Sequence, residues 1–153
     1  MLGEISANAG RVLPELEKLN VNAWVSAGAS DTYLAQWQSS RDQMRALQEG
    51  ARTLAKNPER LSASLELFFR IEALDQMLGS IEDGARRYQS PQAAQAIQSV
   101  YAEGGANRER LRLYIVNLAA ERERQFDVMD KEAQRCRATL MAPAPPKTTG
   151  RKK

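Results

Sequence analysis

The chain has 153 residues and a mass of 17.1 kDa, a size at which a single hydrophobic core is expected. Hydrophobic residues make up 42% of it and charged residues 27%, and no run approaches the roughly 20 apolar residues of a membrane-spanning helix. There is no histidine and one cysteine, Cys136. The composition therefore excludes an internal disulfide framework, a multi-cysteine metal site and a histidine base or metal ligand. We expect no cofactor.

The positive net charge of +3 comes from the C-terminus. Residues 142–153 contain Lys147, Arg151, Lys152 and Lys153 and no acid, which leaves 18 basic and 19 acidic residues in the rest of the chain. The same segment is rich in proline and cannot bury a core. We therefore predict a helical bundle domain over residues 1–141 and a flexible basic tail over residues 142–153.

The N-terminus, Met1-Leu2-Gly3-Glu4, has neither the basic region nor the apolar region of a signal peptide. This favours a cytoplasmic location. A mature exported form that has lost its signal remains the alternative.

The first half of the chain predicts two helices and a loop. Apolar residues in residues 2–19 recur at spacings of three and four, which indicates one helix with a kink near Pro14. Residues 20–30 are small and polar and predict a loop that Trp24 and Val25 hold to the core. Ser30 or Asp31 is expected to cap the next helix, which ends at Asn57-Pro58.

The second half predicts three more helices. The most apolar one follows Pro58, and a short one follows the cap and proline of Ser90-Pro91. Gly104-Gly105 predicts a break, because glycine disfavours a helix interior. The last helix, about residues 107–140, carries apolar residues at helical spacing: Leu111, Ile115, Leu118, Phe126, Met129, Ala133 and Leu140.

Short connections between long amphipathic helices favour antiparallel neighbours. The sequence therefore predicts an all-α, up-and-down helical bundle of four main helices and one short extra helix.

One helix has more apolar surface than its own stripe requires. Four residues widen the face of the third predicted helix: Leu61, Leu65, Phe68 and Phe69. An apolar surface that a single bundle cannot bury is typical of an interaction site. The leading hypothesis is therefore a non-enzymatic interaction or scaffold protein, whose helix face binds a protein partner or a second copy.

Two other functions remain open. The basic tail, with Lys147, Arg151, Lys152 and Lys153, suits a nucleic-acid-associated accessory protein, although acids alternate with the arginines of the last helix. Alternatively, Trp24, Tyr33 and Trp37 form an aromatic cluster that lines a small-molecule pocket.

Residues with catalytic potential are few. Glu72 and Asp75 lie three residues apart on one helix face, but a di-iron bundle site also needs histidines. Cys136 lies near a helix C-terminus, where a thiolate is disfavoured. We expect no enzymatic activity.

Overall fold

The computed structural model describes residues 1–146, and all regular secondary structure in that range is helical. This confirms the predicted all-α class. The helices are α1 (Leu2–Glu17), α2 (Val21–Ser26), α3 (Thr32–Lys56), α4 (Leu61–Tyr88), α5 (Pro91–Ala102) and α6 (Gly105–Met141).

Local sequence signals explain several helix ends. The Ser90 hydroxyl accepts a hydrogen bond from the Ala93 amide at 3.1 Å, and Pro91 occupies the first turn of α5, where no intrahelical donor is needed. The Ser30 hydroxyl likewise accepts from the Thr32 amide at 3.2 Å at the start of α3. The predicted cap of α5 is therefore present, whereas the N-cap residue of α3 is Asp31, whose side chain makes no capping hydrogen bond, and the Ser30 contact lies one residue earlier.

The prediction of a loop over residues 20–30 was wrong in part. The Asn20 side chain accepts from the Ala23 amide at 3.2 Å and begins the six-residue helix α2. Val21 and Trp24 are almost fully buried, so tertiary packing stabilises a helix too short to persist alone. The sequence predicts no helix here because residues 20–30 are small and polar and the burial of Val21 and Trp24 depends on residues distant in the chain.

Neighbouring helices run antiparallel, which confirms the up-and-down bundle. Helix α3 packs against α1 and α4, and α5 packs against the same two helices from the other side. Hydrogen bonds between residues distant in the chain fit this antiparallel arrangement. They include Ser6 to Gln48 O (3.0 Å), Trp37 to Leu16 O (2.7 Å), Ser80 to Gln36 (2.7 Å), Asn8 to Val100 O (2.7 Å) and Asn20 N to Gln89 (3.0 Å).

The break between α5 and α6 has a packing reason. Helix α5 ends at Ala102 and α6 begins at Gly105, close to the predicted position. A methyl group added to Gly104 would collide with the side chains of Asn8 and Arg108. A side chain at this position would therefore force Asn8 or Arg108 to shift.

The chain divides into two compact units, Met1–Leu118 and a second that begins at Ala119 within α6. The first unit holds the hydrophobic core, which includes Leu111 and Ile115 from α6. The Tyr114 hydroxyl in the same unit donates to the Pro58 carbonyl at 2.7 Å. This division begins a new unit at Ala119, whereas the predicted boundary between bundle domain and tail follows residue 141. The predicted boundary stays a prediction.

Candidate functional site

The predicted partner face on α4 is mostly used inside the first unit. Leu61, Leu65 and Phe68 are partly buried and pack against the core, whereas the Phe69 side chain is 64% exposed. The Phe68 and Phe69 rings meet edge to face with centroids 5.8 Å apart. Of these four residues, Phe69 thus offers most of the free apolar area, and the role of the face in partner binding stays a prediction.

The aromatic residues near α2 form a packed cluster with a different membership from the predicted one. Trp24 contacts Tyr33 and Tyr88, with ring centroids 5.9 Å and 6.5 Å away. A methyl group on Gly84 would lie only 2.8 Å from the Tyr33 ring and 2.9 Å from the Trp24 ring. The rings therefore fill this space and support the bundle. Trp37 lies elsewhere and donates to the Leu16 carbonyl at 2.7 Å.

Glu72 and Asp75 are exposed residues of α4, and Asp75 has a defined partner. The Tyr101 hydroxyl donates a short hydrogen bond to the Asp75 carboxylate. Burial of Tyr101 and this hydrogen bond raise the pKa of its phenol well above the ordinary value. A tyrosine whose pKa is raised keeps its proton at neutral pH, and its hydrogen bond to Asp75 connects α5 with α4.

Arg108 and Asn8 extend this polar cluster within the first unit. Arg108 Nη1 donates to the Tyr101 carbonyl at 2.9 Å and to Asn8 Oδ1 at 3.4 Å. Asn8 Nδ2 donates in turn to the Val100 carbonyl at 2.7 Å. The cluster therefore connects α1, α5 and the first turn of α6 through hydrogen bonds that position these helices.

A surface groove of about 590 Å³ lies between the last turns of α3 and the first turns of α4. Leu54 and Leu67 form its apolar floor, while Lys56, Arg60 and Glu66 line its edge. Side chains of both signs at the edge suit a polar peptide or solvent equally well.

The second unit presents a different surface. Every described residue from Glu121 to Pro146 is exposed. Five residues of α6 in this segment follow one another at spacings of three, four, three and four, so they share one side of the helix. We call them the C-terminal stripe: Phe126, Met129, Ala133, Cys136 and Leu140.

The large members of the C-terminal stripe have almost no cover. The exposed fraction is 70% for Phe126, 67% for Met129 and 82% for Leu140. Cys136 is a free, exposed cysteine. Exposed apolar side chains that form a contiguous row are typical of a surface that binds another protein.

Polar side chains elsewhere on this segment pair along the helix. Arg124 and Glu121 form an ion pair at 2.8 Å, and Gln125 and Gln134 donate to acids one turn earlier. Hydrogen bonds from Arg124 and Gln125 lower the pKa of the Glu121 carboxyl below its usual range. These contacts stabilise the helix locally and leave the C-terminal stripe free of polar partners from its own helix.

The predicted nucleic-acid site falls largely outside this description. Lys147, Arg151, Lys152 and Lys153 lie beyond the described residues, so the role of the tail stays a prediction. On α6, Arg112 pairs with Glu109 at 2.6 Å and Arg124 with Glu121 at 2.8 Å. These ion pairs reduce the positive field that either arginine offers to a phosphate.

Four of the stripe residues are predicted by their spacing to be apolar positions of the last helix, within the predicted bundle domain: Phe126, Met129, Ala133 and Leu140. One signal of their exposure was available in the helix lengths. Helix α6 has 37 residues whereas α4, the longest of the others, has 28, and a helix is covered only along the length of its neighbours.

Two specific kinds of feature are absent from residues 1–146, metal-ligand clusters and membrane-spanning helices. No cluster of three or more acidic or cysteine side chains suits a metal ion, and no helix is both long and apolar enough to cross a bilayer. Comparisons with models of known protein families, with curated proteins and with solved structures found no match to this chain.

Proposed function

We propose that this chain is a non-enzymatic interaction or scaffold protein, and that the C-terminal stripe of α6 is its binding surface for a partner helix. One observation carries the proposal: an apolar row at helical spacing lies on a segment whose described residues are all exposed. Such a row is the feature by which one amphipathic helix recognises another.

The energetics of the segment support a bound partner. Most helical stability in proteins comes from packing of an apolar face, and the exposed residues 121–141 have no such packing within the described part of the chain. Burial of a large apolar side chain contributes about 1.5–3 kcal/mol. Covering Phe126, Met129 and Leu140 would therefore stabilise both the helix and the complex.

The exposed Phe69 on α4 supports a second, smaller contact surface of the same kind. Its 64% exposed ring stands beside the partly buried Phe68. This leaves the predicted face on α4 as an accessory to the C-terminal stripe, with a much smaller free apolar area.

A cytoplasmic location remains an expectation within this proposal. A reducing compartment keeps thiols free, and the single cysteine, Cys136, is exposed.

Site-specific photo-crosslinking in the cells that make the protein tests the proposal. Benzoylphenylalanine would replace Met129 in one full-length variant and Val128 in its control. Both residues are exposed, but Val128 lies about 100° around the helix from Met129 and about 160° from Phe126. We expect protein adducts from position 129 and few from position 128. Absence of adducts at both positions, or equal yields, would contradict the proposal.

A further inference from the structure

We propose that the partner of the C-terminal stripe is the same stripe of a second copy of this chain, paired in antiparallel orientation. This inference rests on the proposed function and names the occupant of that surface. It is carried by the spacing of the stripe, by its flanking charges and by the sizes of its residues.

The spacing fits a two-stranded helix pair. The alternation of three and four residues from Phe126 to Leu140 is the seven-residue repeat of a coiled coil. Continued back to Ala119, the repeat covers three heptads within α6, with Arg122 as the one charged residue at a seam position. Two stripe residues are each followed by a charged residue, Met129 by Asp130 and Cys136 by Arg137. A narrow apolar seam between polar flanks suits one partner helix rather than a larger bundle.

The charges favour one orientation. Residues 121–132 contain five acidic and three basic side chains, a net charge of −2. Residues 133–141 contain Arg135 and Arg137 and no acid, a net charge of +2. An antiparallel pair places the acidic half of one copy against the basic half of the other at both ends. A parallel pair places like charges together at both ends, which is destabilising.

The sizes of the stripe residues favour the same orientation. The first half of the stripe has the large side chains Phe126 and Met129, and the middle has the small side chains Ala133 and Cys136. With residues 121–141 overlapped in antiparallel orientation, Phe126 lies opposite Cys136 and Met129 opposite Ala133, so large side chains face small ones along the centre of the seam. Leu140 lies opposite Arg122 at either end. Antiparallel helix dipoles add a further favourable interaction.

Self-association of the purified full-length chain is the first test. Light scattering on a size-exclusion column, over a wide range of protein concentration, should show conversion from monomer to dimer. Phe126→Glu should weaken the dimer at least about tenfold, because a buried aromatic side chain is replaced by a charge. Val128→Glu is the matched control and should change it little. A wild-type chain that stays monomeric throughout, or equal effects of the two variants, would overturn the inference.

A distance measurement tests the orientation. In a Cys136→Ser background, Glu121→Cys would carry a nitroxide label for pulsed electron spin resonance. Antiparallel overlap of residues 121–141 separates the two labels by about 30 Å, at 1.5 Å per residue. A parallel pair would remove this axial separation and leave only the distance across the two helices, about 10 Å between the axes plus the reach of the labels. A distance clearly below about 30 Å would overturn the antiparallel arrangement.

Failure of self-pairing can be told apart from failure of the proposed function. A monomeric chain that still forms photo-adducts with a different protein at position 129 retains the interaction role and refutes the second copy as its partner. Adducts between two copies of the chain would support both. The same crosslinked sample, analysed by mass spectrometry for the identity of the adduct, decides between these results.

Discussion

The guanidinium carbon of Arg108 lies 3.7 Å from the centre of the Tyr101 ring, so the first turn of α6 is stacked on the end of α5. At this distance the cation is attracted to the face of the ring. Tyr101 also donates its hydroxyl to Asp75 of α4, which means that one side chain joins three helices. The position of α6 in the first unit therefore depends on Tyr101.

Tyr101→Phe should lower the free energy of unfolding by about 1–2 kcal/mol, because the buried hydroxyl loses its hydrogen bond to Asp75 while the ring and its cation contact remain. Urea denaturation of the wild type and the variant at neutral pH measures this difference. An unchanged midpoint would show that the hydrogen bond makes no net contribution to stability.

The stability difference between the wild type and Tyr101→Phe should also depend on pH. The folded state raises the pKa of Tyr101, so its stabilising effect is complete below the unfolded tyrosine pKa of about 10 and declines as pH rises above it. The stability difference between wild type and Tyr101→Phe should be constant from neutral pH to about pH 9 and shrink above about pH 10. A difference that grows in alkali would contradict the assigned direction of the shift.

Two glycines of α4 should respond oppositely to the same substitution. Gly84→Ala should destabilise the protein by about 1–3 kcal/mol, because the methyl group would meet the rings of Tyr33 and Trp24. Gly79 is exposed with nothing within 4 Å of an added methyl, so Gly79→Ala should stabilise the helix by about 0.5–1 kcal/mol. Thermal unfolding of both variants checks the pair. Equal changes would mean that the aromatic cluster tolerates expansion.

Reversing the charge at the basic C-terminal end of α6 should weaken self-association. Arg135→Glu with Arg137→Glu makes both halves of the stripe acidic, so the paired copies would repel each other. Light scattering should show a severalfold loss of dimer at low salt and a smaller loss at about 0.5 M salt, where exposed charges are screened. Arg87→Glu with Arg110→Glu changes the net charge equally in the first unit and should leave the dimer intact. An equal loss of dimer in this control would mean that the total charge of the chain, and not the charge of the paired surface, weakens self-association, which would contradict the prediction.

Much of the fold could be predicted because its signals are local. The spacing of apolar residues, Pro91 and Gly104 together indicate the helices and where they end. Helix α2 was missed because its stability comes from the burial of Val21 and Trp24, which depends on residues distant in the chain. The start of α4 was predicted at Pro58 but lies at Leu61, since residues 57–60 form a turn.

The candidate site was predicted only in part, for a physical reason. Spacing shows that Phe126, Met129 and Leu140 share a face, but it does not show what covers that face. The same pattern describes Leu111 and Ile115, which are buried in the first unit, and residues beyond 120, which are exposed. The converse holds on α4. The sequence predicted an exposed partner face there, but three of its residues pack against the core: Leu61, Leu65 and Phe68.

Amide hydrogen exchange along α6, at low and high concentrations of the full-length chain, tests the central claim most directly. An uncovered helix opens readily, whereas a paired helix is protected from exchange. We predict that amides of residues 121–141 exchange about tenfold or more slowly at the higher concentration, while those around the buried core residue Leu74 do not change. Exchange over residues 121–141 that is independent of protein concentration would contradict pairing of the C-terminal stripe with a second copy.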